Sequence, residues 1–384
     1  MNAQAQIGAD RLRLVSSGPD RLAALLDLIA GAQHSLRLLY YIFAPDDTGT
    51  QVRDALVAAA ARGVRVRLLL DGFGSAADDP FLAPLSDAGA EICRFIPRLG
   101  RRYLLRNHQK LALADEAVAI IGGFNIEESY FAEGDPDGWR DLGLIVDGPA
   151  AARLTGYYDM VFAWSGQPRP RMRALRRALF GWSEREGPVR WLLGGPTIRM
   201  SPWAAQLRAD LGAATRLRLI AAYFAPAPTW LRRIERVARR GSAHLLTAGR
   251  SDNGTTIAAA RFTYPGLLRR GARIHEYDRQ RLHTKLYVID DIVHIGSANL
   301  DMRSLFLNME LMLRIEDAAL SRQLSAYFEG ECAAARQWRL ADLAGWRHWP
   351  GRIRHALAYF LVAVVDYTVS RRLNFGGSLN VDSK

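Results

Sequence analysis

Two short stretches of this sequence hold the side chains that can do chemistry. The first is His108, Lys110 and Asp115, followed by Gly122-Gly123-Phe124-Asn125. The second is His283, Lys285 and Asp290, followed by Gly296-Ser297-Ala298-Asn299. Residues two apart on a strand share a face, so each stretch sets an imidazole beside an ammonium. A phosphodiester attacked in line gathers negative charge on its non-bridging oxygens, and positive or hydrogen-bond-donating groups stabilise that charge. Lys110 and Lys285 would supply compact positive charge, and the amides of Asn125 and Asn299 would donate to the same oxygens. One histidine can attack phosphorus while the other protonates the leaving oxygen. A two-metal site would need a cluster of carboxylates, which these stretches lack, so the chemistry is expected to need neither metal nor other cofactor.

The residue counts set these pairs apart from ordinary surface chemistry. The chain has eight histidines, and its only lysines are Lys110, Lys285 and the terminal Lys384. Random placement would put both internal lysines two residues after a histidine roughly once in two thousand trials. A reacting histidine also needs a partner that holds its tautomer. Asp141, 33 residues after His108, and Glu310, 27 after His283, each open an apolar strand and are the candidates. Taken singly, either reads equally well as a strand-edge charge in water. Their matched placement favours a His–carboxylate dyad in each half.

The elements that must carry these residues occur twice. Leu36 to Pro45 reads LRLLYYIFAP and Leu217 to Pro226 reads LRLIAAYFAP, each an apolar strand ending in an aromatic-Ala-Pro turn. In each half a helix then stops at glycine, Gly63 or Gly241, and a second helix stops at Gly89 or Gly271 before the next strand. Matching positions are offset by ~174 to 182 residues throughout. Each half reads β-α-β-α-β, which predicts an α/β fold of two duplicated halves, each a mixed sheet flanked by helices. Such halves would meet across a pseudo-twofold axis with the active site at their interface. The expected boundaries are 1–165 and 201–340 for the halves. An arginine-rich linker over 166–200 would join them, and a basic, aromatic segment would follow over 341–384.

Composition narrows the setting. The chain of 384 residues is 49% hydrophobic, which excludes disorder, and its two cysteines, Cys93 and Cys332, exclude a disulfide framework. No stretch reaches the ~18 apolar residues of a membrane span, and the first twenty residues lack the pattern of a signal peptide. A net charge of +12 suits an anionic membrane or nucleic acid, and charge alone does not choose between them.

The paired motifs resemble the signature of the phospholipase D superfamily, His-x-Lys-x4-Asp followed by Gly-Ser-x-Asn. The likeness runs from about Arg21 to Ala333. Within the superfamily the chain looks most like bacterial cardiolipin synthases, through Asp71-Gly72-Phe73-Gly74-Ser75, Ile121-Gly122-Gly123-Phe124-Asn125 and Ser297-Ala298-Asn299-Leu300-Asp301-Met302-Arg303-Ser304. The resemblance implies a ping-pong phosphatidyl transfer. His108 would attack the phosphate of phosphatidylglycerol and His283 would protonate the departing glycerol. A second phospholipid hydroxyl would then attack the phosphohistidine. It also implies that Asp115 and Asp290 shape their strands without touching phosphate, and that Gly123 and Ser297 lie at substrate-binding positions. Gly123 departs from the signature, which has serine there. The alternative within the superfamily is a hydrolase, phosphodiesterase or nuclease using water as acceptor. Two motifs in one chain count against a nuclease, disfavour nucleic acid as partner, and let a monomer suffice. The resemblance implies a short form without N-terminal membrane helices, peripheral on the cytoplasmic side of the bacterial inner membrane. The segment WRHWPGRIRHALAYFLVAVVDYTVSRRL, with arginines at both ends and an apolar middle, would meet the anionic phospholipid surface.

Overall fold

Apolar runs such as Leu111–Ala114 and Lys285–Ile289 are buried along their whole length, as strands covered on both faces must be. The computed structural model describes residues 3–96, 105–343 and 349–366. Two eight-stranded mixed sheets form its frame. The first runs Gln4–Ile7, Asp10–Val15, Gly143–Asp147, Val118–Gly122, Leu111–Ala114, Ser35–Tyr40, Arg65–Asp71, Glu91–Phe95. The second runs Val189–Gly194, Glu310–Glu316, Ile292–Gly296, Lys285–Ile289, Arg216–Ala221, Ser242–Ala248, Arg273–Tyr277, Arg336–Trp338. From Asp10–Val15 and from Val189–Gly194 onward, seven strands correspond one to one, so the duplication read from the motifs extends through both sheets.

The strand Ser35–Tyr40 shows how alternation divides the core. Leu36, Leu38 and Tyr40 join the cluster under helices Gly18–Gly31 and Asp47–Ala61, while Leu39 faces the other way. That other face belongs to a central cluster containing Leu111, Leu144 and Trp191 together with Leu286, Leu311 and Leu313. One core thus joins both halves, and burying it excludes water from the ground between the two motifs.

The domain reading needs one correction. The expected linker 166–200 contains the strand Val189–Gly194, fully buried and paired antiparallel with Glu310–Glu316 as part of the second sheet. Its helix Met172–Gly181 buries Met172, Leu175 and Leu179 and turns Arg173 and Arg177 outward, while half-buried Arg176 donates to the Pro196 carbonyl at 2.9 Å. The arginine run concealed an amphipathic helix and a six-residue apolar strand behind it. In the C-terminal segment, helix Trp349–Tyr359 and the π-helix Phe360–Asp366 pack on Gly254–Arg269, and the Tyr359 hydroxyl donates to the Pro226 carbonyl at 2.7 Å. Residues 344–348 and 367–384 of the expected 341–384 segment lie outside the described residues. Among the described residues no helix is long and apolar enough to cross a membrane.

Candidate active site

Each motif begins where its half is stitched to the other. Arg281–Leu282 pairs in parallel with Trp139–Arg140, and the His283 amide donates to the Arg140 carbonyl at 2.8 Å. On the opposite side of the axis, Asn107 bridges Met309, and the His108 amide donates to the Met309 carbonyl at 3.0 Å. These backbone bonds deliver a carboxylate from one half to the histidine of the other. His108 Nδ1 lies 3.1 Å from Glu310 Oε2, and His283 Nδ1 lies 2.6 Å from Asp141 Oδ2. Both carboxylates are fully buried. Counting along the chain placed each carboxylate after the histidine of its own half; the fold crosses the pairs.

With Nδ1 engaged, each imidazole has Nε2 left for the cleft that both rings line. The ring centres are 6.5 Å apart, a separation at which one tetrahedral phosphate can contact both. Tyr130 and Trp139 pack on the His283 ring at 5.1 and 5.2 Å, and Tyr41 packs on His108 at 5.3 Å. Burial, with Lys285 beside it, pushes the His283 imidazole down to about 3 against the pull of Asp141. Burial and Lys110 lower His108 as well, against Glu310. Both rings are therefore neutral near pH 7.

The two lysines are almost fully buried, and each ammonium donates to the backbone carbonyl of the histidine two residues before it, Lys110 to His108 at 2.7 Å and Lys285 to His283. Burial lowers Lys110 to about 7 and Lys285 to about 8, and the carboxylates of Glu310 and Asp141 oppose the shift in both. Burial works to raise Asp141, but Lys285, His283 and Arg21 outweigh it and hold the carboxyl below its ordinary range.

Asn125 and Asn299 line the cleft in matching ways. The Asn125 carbonyl oxygen accepts from the Ile42 amide at 3.1 Å, and that of Asn299 accepts from the Tyr223 amide at 3.2 Å. Each amide is thereby oriented with its NH2 group free of that bond. Ser297 Oγ donates to Glu310 Oε2 at 2.5 Å, behind His108. Gly123 occupies the equivalent place behind His283. A Cβ there would lie 2.5 Å from Asp141 Oδ1, so the carboxylate fills the space a serine would need.

Asp115 and Asp290 sit at the far end of their strands, ~16 Å along the chain from the lysines at ~3.3 Å per residue. Both adopt left-handed backbone in hairpin turns, with φ of 51° each. The Asp115 carboxylate accepts from the amides of Gln33, His34 and Ser35 at 2.8 Å. Asp290 accepts from the Thr215 and Arg216 amides and from the Thr215 hydroxyl. They anchor each motif hairpin to the start of the neighbouring strand.

Sequence reading missed several residues of this cleft of about 370 Å³, among them Tyr41, Arg106, Tyr223, Asp252, Asp301 and Asn308. Tyr41 and Tyr223 were within reach of it, because both lie in the twinned aromatic-Ala-Pro stretches. Arg21 gave no signal. Its buried guanidinium donates to the carbonyls of Asp141 and Tyr130 at 2.6 Å each, pinning the floor beneath His283. Among the described residues no three His, Cys, Asp or Glu side chains are placed to hold a metal ion.

Residues 25–163 and 207–331 match the family described as "Cardiolipin synthase, PLD-like domain". Cardiolipin synthase 1 of Bacillus anthracis is 32% identical over 340 residues, covering 84% of this chain and 67% of that protein. Cardiolipin synthase of Alkalihalophilus pseudofirmus is 30% identical over 312 residues, covering 78% of this chain and 61% of that protein. The chain thus spans about two thirds of the length of these relatives. Among solved structures, phosphatidylserine synthase of Haemophilus influenzae superposes with a TM-score of 0.71 over 96% of both chains at 12% identity, and so shares the fold. Polyphosphate kinase of Porphyromonas gingivalis superposes at 0.56 over 84% of this chain and 50% of its own, at 16% identity. The paired motifs, the duplicated sheets and the match across both halves place this chain in the cardiolipin synthase, phospholipase D-like family.

Proposed function

We propose that the chain is a phosphatidyltransferase that moves a phosphatidyl group from phosphatidylglycerol to a second phospholipid hydroxyl, releasing glycerol and forming cardiolipin. The observation that carries this is the pair of imidazoles facing each other across one cleft, 6.5 Å between ring centres, each held through Nδ1 by a buried carboxylate. His108 Nε2 attacks phosphorus; the new P–N bond replaces the P–O bond to glycerol, whose oxygen takes a proton from His283. The acceptor hydroxyl then gives its proton to His283 and attacks phosphorus, and the P–N bond breaks. Lys110, Lys285, Asn125 and Asn299 stabilise the charge on the non-bridging oxygens.

His283 must carry a proton that its burial and Lys285 disfavour. The substrate itself supplies the remedy. A phosphodiester anion ~4 Å away, at an effective dielectric of ~20, favours the imidazolium by ~4 kcal/mol. That returns the ring toward the neutral range only while substrate is bound, so acid catalysis is switched on by the phosphate it serves.

The chain works peripherally on the anionic phospholipid surface of the bacterial inner membrane, facing the cytoplasm. Support comes from helix Trp349–Tyr359 and the π-helix after it, where Ile353, Leu357, Phe360 and Leu361 are about half exposed and exposed Arg352 and Arg354 flank them. An apolar stripe edged by arginine suits the headgroup–acyl boundary.

The deciding experiment incubates purified protein with phosphatidylglycerol vesicles, without added metal, beside His108→Ala. Cardiolipin and free glycerol from the wild type alone support the transferase and its nucleophile. Phosphatidic acid as sole product turns the reading to a hydrolase, and no turnover of lipid overturns it.

A further inference from the structure

Phosphatidyl transfer keeps the phosphatidyl group on the protein while one alcohol departs and another arrives, and the acyl chains of that group need a place. The catalytic cleft of about 370 Å³ is lined by histidine, asparagine, arginine and aspartate side chains with aromatic rings, which suits the phosphate and not the chains. A larger space lies beside it. Helix Gly254–Arg269 and helix Trp349–Tyr359, with the π-helix that follows, leave a groove of about 820 Å³ between them. That is within the ~300–1,000 Å³ typical of small-molecule sites.

One wall of the groove is a single helical face, Gly254, Ile257, Ala258 and Arg261, and the other is Ile353, Leu357 and Leu361. At ~1.5 Å per residue the walls run for about 10–12 Å, a span that an extended octanoyl chain fills. Buried Ala258 and Ala358 form the floor, in one packed cluster with Met302 and Tyr359. Ile353, Leu357 and Leu361 are 48%, 59% and 52% exposed, so an apolar occupant takes their surface out of water. Among the described residues no carboxylate lines the groove to attract an ammonium. Arg261 is engaged by Glu276 through bonds of 2.8 and 2.9 Å, which leaves a phosphate only Arg354. Groove and cleft also share two stretches of chain. Asp252 lines the cleft and Gly254 the groove, two residues on and so at most ~7 Å away. Asp301 and Arg303 line the cleft, and Met302 between them packs into the floor of the groove.

We infer that this groove holds an acyl chain of the phosphatidyl group whose phosphate lies between the two histidines, and that it makes the protein favour long-chain over short-chain donors. The glycerol backbone of the lipid spans the short distance from phosphate to groove. The phosphatidyl group stays in place through both displacements, so one fixed groove serves the whole cycle while the alcohols exchange at the phosphate. Leu357 and Leu361 then act in two ways, outward toward the bilayer and inward along the chain of the bound lipid. The inference rests on the transferase reading and adds to it a site for the part of the substrate that does not react.

Donors dissolved as monomers separate this site from a bilayer-contact face, because no lipid surface is present. Full-length protein is given dibutanoyl- or dioctanoyl-phosphatidylglycerol, each below its critical micelle concentration, and kcat/KM is read from glycerol release. Wild type is expected to favour dioctanoyl by about tenfold or more, since each fully buried methylene is worth about fourfold. Thr255→Trp and Ile257→Trp, made separately, fill the groove from the end nearest the cleft and touch no reacting group. In each, kcat/KM for dioctanoyl is expected to fall about tenfold while that for dibutanoyl stays at the wild-type value, which also shows that the variant is folded. A dioctanoyl-to-dibutanoyl ratio unchanged in both variants overturns the groove as a substrate site. If vesicle binding falls at the same time, the groove belongs to a lipid of the bilayer. A wild type without the preference also overturns the inference, while cardiolipin made from vesicles leaves the transferase standing. A wild type that makes no cardiolipin and releases no glycerol overturns both.

Discussion

Replacing Lys110 by methionine should make the protein more stable and nearly inactive. Lys110 is 2% exposed, and burial lowers its ammonium from 10.5 to about 7. At 1.36 kcal/mol per pH unit, with half the folded lysines already neutral at pH 7, holding that side chain in the folded state costs about 4 kcal/mol there relative to the unfolded chain. Methionine has similar reach and no charge to desolvate. It forfeits the hydrogen bond to the His108 carbonyl, worth about 1 kcal/mol, while the attraction to Glu310 and Asp141 is already contained in the lowered value. A net gain of about 3 kcal/mol remains. The sign of its pH dependence is distinctive. Between pH 7 and 10.5 the unfolded lysine holds its proton and the folded one does not, so wild-type stability rises with pH across that window. The variant has no such group, and its advantage should shrink steadily as pH rises from 7 to 10. Transfer activity should fall about a thousandfold with the loss of one charged donor to the phosphate oxygens. Urea unfolding of both proteins at pH 7, 8, 9 and 10, beside cardiolipin formation at pH 7, measures all of this. A variant less stable than wild type at pH 7, or a difference that does not narrow with pH, would refute the reasoning.

The remaining predictions concern the same machinery. Because burial lowers Lys110 to about 7 and Lys285 to about 8, affinity for a non-hydrolysable phosphonate analogue of phosphatidylglycerol should weaken more than tenfold from pH 7 to pH 9; equal affinity would mean that the ammoniums do not hold the phosphate. Gly123→Ser brings a Cβ to 2.5 Å from Asp141 Oδ1 and should displace the carboxylate that orients His283, lowering kcat about a hundredfold; a kcat equal to wild type would show that the dyad tolerates the shift. Deleting the residues after Trp349 should leave the two sheets folded by circular dichroism yet weaken sedimentation with anionic vesicles. Leu357→Glu with Leu361→Glu should reduce that binding about tenfold or more, and unchanged binding in both cases would remove the helix from the membrane contact.

The amino-acid sequence alone determined much of this protein. The rarity of lysine and its twofold placement after histidine marked the groups proposed to react, because a side chain's type is its chemistry wherever the chain puts it. The doubled strand–helix–glycine pattern announced two α/β halves, because the periods of helix and strand are local properties. Where the pattern was short or masked, reading failed. The six residues Val189–Gly194 stood behind an arginine run and were assigned to a linker, because only their pairing with the distant Glu310–Glu316 makes them a strand.

Tertiary structure alone decided who meets whom. His108 and Glu310 are 202 residues apart, and His283 and Asp141 are 142 apart. Within each half the histidine and the carboxylate looked like natural partners. The halves instead face each other, and the backbone bonds from His108 to Met309 and from His283 to Arg140 bring each carboxylate to the opposite histidine. Spacing along the chain carries no information about which strand end lies across an axis. The same limit hid Arg21 beneath Asp141 and the cleft positions of Asp252, Asp301 and Asn308, which are ordinary polar residues until the fold brings them together. The depressed imidazoles and ammoniums belong to the fold for the same reason: desolvation is a property of where a group is buried, and the chain records only that the group is there.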